Sequence, residues 1–136
     1  MARKRIVDVT ASATLSKNQS GSLVVLDKAA GLTVTLPEPG RGLEYDFVVK
    51  TAITAAAGYY TISIGDAATA SMKGAVTSGA SNGAAKSQAS SGASTVVLGT
   101  VNGGAIGTRI KLICDNDGKW NVTGSAIGSG DTTIFA

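Results

Sequence analysis

Apolar and polar residues alternate with a period of two along most of this chain, the pattern of extended strands with one buried face. Leu32, Val34 and Leu36 alternate with Thr33 and Thr35, and the following Pro-Glu-Pro-Gly at 37–40 stops the strand, because proline cannot donate to a ladder. Leu43, Tyr45, Phe47 and Val49 form the next apolar row against Glu44, Asp46 and Lys50, and Tyr60, Ile62 and Ile64 repeat it against Thr61 and Ser63. Ile110 and Leu112 alternate with Arg109 and Lys111, and Trp120 and Val122 with Asn121 and Thr123. The runs 5–9 and 23–26 read as strands too, and the C-terminal residues 130–136 as a last edge strand or a tail lying on a neighbour. No long segment keeps an apolar stripe at 3.6 residues. The pattern predicts an all-β fold, a single-domain β-sandwich or small jelly-roll-like barrel over residues 1–136, a length that suits one core.

The alternation lapses between 66 and 94, where 22 of 29 residues are Ala, Gly, Ser or Thr and only Asp66, Lys73 and Lys86 are charged. Such a segment buries too little apolar surface to offset its own ordering entropy. Two readings stand side by side: a flexible loop, or an extended arm or irregular hairpin that orders against another subunit. Its scattered glycines lack the Gly-Lys-Ser/Thr ending of a phosphate loop.

Composition narrows the chemistry. Six aromatic residues in 136 leave a thin, mainly aliphatic core, in which Tyr45, Phe47, Tyr60 and Trp120 are the expected anchors. Eighteen glycines and long small-residue tracts point to many turns and to stability shared with neighbouring copies, hence to an oligomer. The absence of histidine removes the commonest neutral-pH base and metal ligand, and one cysteine can form neither an internal disulfide nor a zinc site. No cofactor or metal is expected. No apolar run reaches the roughly 20 residues of a membrane span, and the basic start lacks the apolar stretch of a signal peptide. Arg3, Lys4 and Arg5 account for the whole net charge of +3, so the body is neutral. With no aromatic residue from 61 to 119, a nucleic-acid groove has no stacking platform. The first ten residues read as a basic arm, either frayed in solvent or docked on an acidic partner.

The densest chemistry lies in KLICDNDGKWNVTG, residues 111–124, which holds the only cysteine and the only tryptophan. Asp117-Gly118 between two alternating segments is a strong hairpin signal. A calcium loop would need a glutamate six residues beyond the glycine, where Gly124 stands instead. Cys114 lacks the histidine that would activate it as a nucleophile and reads as a small buried hydrophobe. Asn18 and Asn121 each begin a glycosylation triplet, read here as ordinary turn and strand residues. Carboxylates alone would have to carry any catalysis, and the reading is of a protein that is not an enzyme.

The stretch from Leu32 to Trp120 resembles small β-rich virion proteins of tailed bacteriophages. There a "TLP" strand, a proline-glycine turn, a "GL-Y-F-VVKT" strand, a "YTI" strand and an "M-KGAV" return precede a closing "DGKW" hairpin. The resemblance implies a capsid decoration, or cement, protein that sits on the capsid exterior of the virion, often as a trimer, and stabilises the shell by bridging subunits of the major capsid protein. On that expectation Arg3, Lys4 and Arg5 contact the capsid, and Ile134, Phe135 and Ala136 engage a neighbouring subunit. Similar segments occur in tail-fibre and collar proteins, which makes a receptor- or glycan-binding module the alternative, with Tyr59, Tyr60 and Trp120 as its stacking rings.

Overall fold

The computed structural model describes residues 3–65, 71–79, 85–115, 119–128 and 134–136. Eleven strands form two mixed sheets around one core. The strands are β1 (Ile6–Val9), β2 (Ala13–Thr14), β3 (Ser22–Leu26), β4 (Leu32–Thr35), β5 (Glu44–Val49), β6 (Tyr60–Ser63), β7 (Met72–Gly79), β8 (Ala85–Ala93), β9 (Thr95–Leu98), β10 (Arg109–Cys114) and β11 (Trp120–Ile127). The larger sheet runs β1-β3-β5-β10-β11-β7-β8 and the smaller β2-β4-β6-β9. A single 3-10 turn, Lys17–Gln19, is the one helical element among the described residues.

The alternation seen in the sequence becomes the division between core and surface. Val24, Leu26, Leu32, Val34, Tyr45, Phe47, Tyr60, Ile62, Ile110, Leu112, Trp120 and Val122 are all buried between the sheets. Tyr45 and Trp120 lie with ring centroids 6.0 Å apart and planes tilted by 46°, within the range of favourable aromatic contacts.

The pairing is less ordinary. From β1 to β6 the chain passes from one sheet to the other at each step, so β1, β3 and β5 run parallel in the large sheet and β2, β4 and β6 parallel in the small one. A jelly roll is antiparallel throughout; here only the later strands bring antiparallel partners, β10 beside β5 and β9 beside β6. Every parallel connection crosses the core, which is how six short strands of four apolar residues or fewer can share one interior.

The described residues of 66–94 form an irregular hairpin that orders against its own chain rather than against another subunit. They build β7 and β8, an antiparallel pair that joins the large sheet through parallel pairing of β7 with β11. The ladder on β11 satisfies the backbone, and Met72 and Val76 supply the apolar anchors, so small residues suffice. The Ser90 side chain accepts from the Gly92 and Ala93 amides and donates to the Met72 carbonyl at 3.1 Å, closing the irregularity between Met72 and Gly74. Residues 66–70 and 80–84 of this segment lie outside the described residues.

Candidate interaction surface

The residues expected to reach a partner turn back on their own chain. Lys4 forms an ion pair with the buried carboxylate of Asp46, and Arg5 donates to the Asn18 carbonyl at 2.8 Å. Residues 6–9, read both as a strand and as part of the basic arm, are strand β1, paired with β3. Arg3 is exposed. At the other end, Ile134 is buried, Phe135 bridges to Val96, and the Ala136 backbone exchanges hydrogen bonds with Thr95. The Ile134 amide donates to Gln88 Oε1 at 2.7 Å. Ile134 and Phe135 fill a gap in their own core, because Ile and Phe gain more from that apolar space than from solvent, while Ala136 is exposed; 129–133 lie outside the described residues.

The four aromatic anchors are in the core, and two have their polar tips engaged. Tyr45 donates to the Ser16 carbonyl at 2.7 Å. Tyr60 donates to the Thr51 carbonyl at 2.6 Å and accepts from the Lys28 amide at 2.8 Å, tying two loops together. Burial pushes both phenols above their ordinary pKa. The Trp120 indole N–H has no hydrogen-bond partner among the described residues. Tyr60 and Trp120 are fully buried, so of the three rings proposed to stack on a sugar only Tyr59 is exposed.

The acidic stretch is structural where it is described. Asp115 accepts from the Lys119 amide at 3.0 Å and from Asn121 Nδ2 at 3.1 Å, and pairs with Lys73 at 2.9 Å. It thereby fastens the β10–β11 hairpin, whose turn residues 116–118 lie outside the described residues, to β7. Among the described residues no group of three or more His, Cys, Asp or Glu could hold a metal ion. Cys114 is buried, and desolvation raises its thiol pKa, the opposite of what a nucleophile needs. Among the described residues no helix is long and apolar enough to cross a membrane.

No protein-family model, curated protein or solved structure matches the chain. Function must therefore be read from the surface, where two regions stand out.

The first is one end of the sandwich, where the loop 99–108 joins β9 to β10. Asn102 is buried, accepts from the Gly99 amide at 2.7 Å and donates to the Val97 carbonyl at 3.2 Å, while the Gly104 amide donates to the Gly99 carbonyl at 2.8 Å. Gly103 has a positive φ of 103°, and a side chain there would come within 2.9 Å of Ala126 and Leu98. A loop so tightly built nevertheless holds Val101 and Ile106 in solvent, 40% and 64% exposed, beside Ile127 at the end of β11 and Tyr59 before β6. The run 87–108 carries no charge, so the loop itself is neutral. Sequence reading passed over it because isolated apolar residues among glycines carry no period; the signal was the uncharged run itself.

The second lies on the outer face of the large sheet. A depression of about 240 Å³ is lined by Asp46 of β5, Arg109, Ile110 and Lys111 of β10, and Thr123, Gly124 and Ser125 of β11. Its floor is backbone, since Gly124, at φ 156°, lies too close to the Arg109 carbonyl for any side chain.

Proposed function

We propose that the chain is a structural virion protein of a tailed bacteriophage, a capsid decoration protein that docks on the outer shell and bridges major capsid subunits. The observation that carries this reading is the set of exposed apolar residues at this end: Val101 and Ile106 on a loop with little freedom to collapse, with Ile127 of β11 and Tyr59 before β6. Apolar groups presented in that way mark a surface that meets another surface, and a preordered loop loses little entropy on docking. The folded-back termini support the same reading, because contacts then come from a fixed body. What binds only the assembled shell stabilises that shell by mass action, and symmetry multiplies weak contacts.

The deciding experiment is the copy number of this chain relative to the major capsid protein in purified particles, by quantitative mass spectrometry. A ratio near one to one supports shell decoration. A ratio of a few per cent moves the protein to the tail, collar or fibre, and complete absence from the particle overturns the reading.

A further inference from the structure

We propose that the depression on the outer sheet face seats two carboxylates of an extended acidic segment of the partner protein. The inference deepens the docking reading by naming the chemistry of the contact. Arg109 and Lys111 are two residues apart on β10, so both point outward from the same face. Neither makes an ion pair or side-chain hydrogen bond among the described residues, whereas Lys4, Lys50 and Lys73 are each paired with an aspartate. Directly across the strand pair, Arg109 faces Ser125 and Lys111 faces Thr123. The face thus carries two units, each a cation with a hydroxyl opposite it on β11, while on the β5 side Arg109 faces Val48 and Lys111 faces Asp46; cross-strand partners lie about 4.5–5.5 Å apart at Cβ. One carboxylate can accept from both members of a unit, with the guanidinium offering a two-pronged donor at Arg109.

The spacing selects the ligand. The two units repeat every second residue of a strand, about 6.5–7 Å, which is the spacing of same-side side chains in any extended peptide. A segment with acidic residues at alternate positions, laid along β10, meets both units together. Asp46 on the neighbouring strand does not oppose this, since Lys4 already engages its carboxylate; the four charged groups together carry a net +2. A nucleic-acid strand fits less well, because no aromatic ring lines the depression to stack a base.

The test is a ¹⁵N NMR titration of the full chain with a blocked octapeptide of alternating glutamate and serine. The expected result is that amide shifts centre on Ile110, Lys111, Gly124 and Ser125, and that affinity falls as salt rises. R109A/K111A should weaken binding roughly tenfold or more, the loss of two charge-assisted contacts at an exposed site. T123V/S125A, which keeps both charges, should weaken it roughly threefold. Shifts confined to other surfaces, unchanged affinity in R109A/K111A with an unchanged melting temperature, or equal binding by a peptide with its glutamates in one block would each overturn the proposal. Tighter binding of an oligothymidylate at the same amides would overturn it in favour of nucleic acid. Particle copy number is measured independently, so the failure of either reading leaves the other standing.

Discussion

Tyr60→Phe removes one oxygen from the core and leaves two backbone groups behind. The ring is fully buried, and its hydroxyl is the donor to the Thr51 carbonyl and the acceptor for the Lys28 amide. Each bond contributes about 1 kcal/mol net, and a buried group left without a partner costs about 1–3 kcal/mol. The loss should therefore be roughly 2–4 kcal/mol, or about 6–12 °C in melting temperature for a domain of this length. Tyr45→Phe is the internal control: its hydroxyl makes one bond, to the carbonyl of the exposed Ser16, which water can take over. It should cost about 1 kcal/mol. Urea unfolding followed by fluorescence reports both, because Trp120 is the only tryptophan and is buried. Midpoints should move with the slope unchanged. Equal losses in the two variants would refute the argument, since they would show that the Thr51 and Lys28 groups find water as readily as Ser16 does.

Three further outcomes follow from the same geometry. Gly74→Ala places a methyl at φ 137° on top of the Val122 carbonyl, where backbone has no room to yield, and should cost about 3 kcal/mol or more by the same urea assay. Cys114 should react with a soluble thiol reagent roughly 100-fold more slowly in the native protein than in urea, because burial both shields the sulfur and raises its pKa. Asp27 has its pKa lowered from 3.8, first by the hydrogen bond from Thr51 and then by that from Lys50. The unfolded chain then binds the proton more readily, so this stabilisation is complete above about 3.8 and is lost as pH falls below it. Asp27→Asn should flatten the acid limb of a stability profile recorded by thermal melts, and an unchanged acid limb would contradict the assignment.

Much of the fold was written in local pattern. The rows Leu32-Val34-Leu36, Tyr45-Phe47-Val49, Tyr60-Ile62-Ile64 and Ile110-Leu112 each name a strand and its buried face, because the pleat imposes a period of two on any strand covered on one side. The β10–β11 hairpin was legible for the same reason, since its two strands are neighbours in sequence. The absence of histidine and the single cysteine were likewise plain without a structure.

Pairing partners were not legible, because they depend on distant segments. Nothing local to Leu23 or Leu32 says that one strand lies parallel to β5 and the other to β6. The 66–94 segment looked unable to order itself, and alone it would be; β11 supplies the ladder that orders its strands. Local pattern left the basic start as a frayed or partner-docked arm and the Ile-Phe-Ala end as an edge strand or a tail; tertiary contacts bring Asp46 beside Lys4 and Phe135 onto Val96. The candidate surfaces have the same origin. Arg109 and Lys111 are ordinary strand residues in the sequence, and only the register that sets Ser125 and Thr123 opposite them, with no carboxylate paired to either among the described residues, makes them a site. Sequence alone determines which face of each strand is buried, a matter of neighbours one and two residues away; which strands meet, and which charges remain unpaired when they do, is decided by long-range packing.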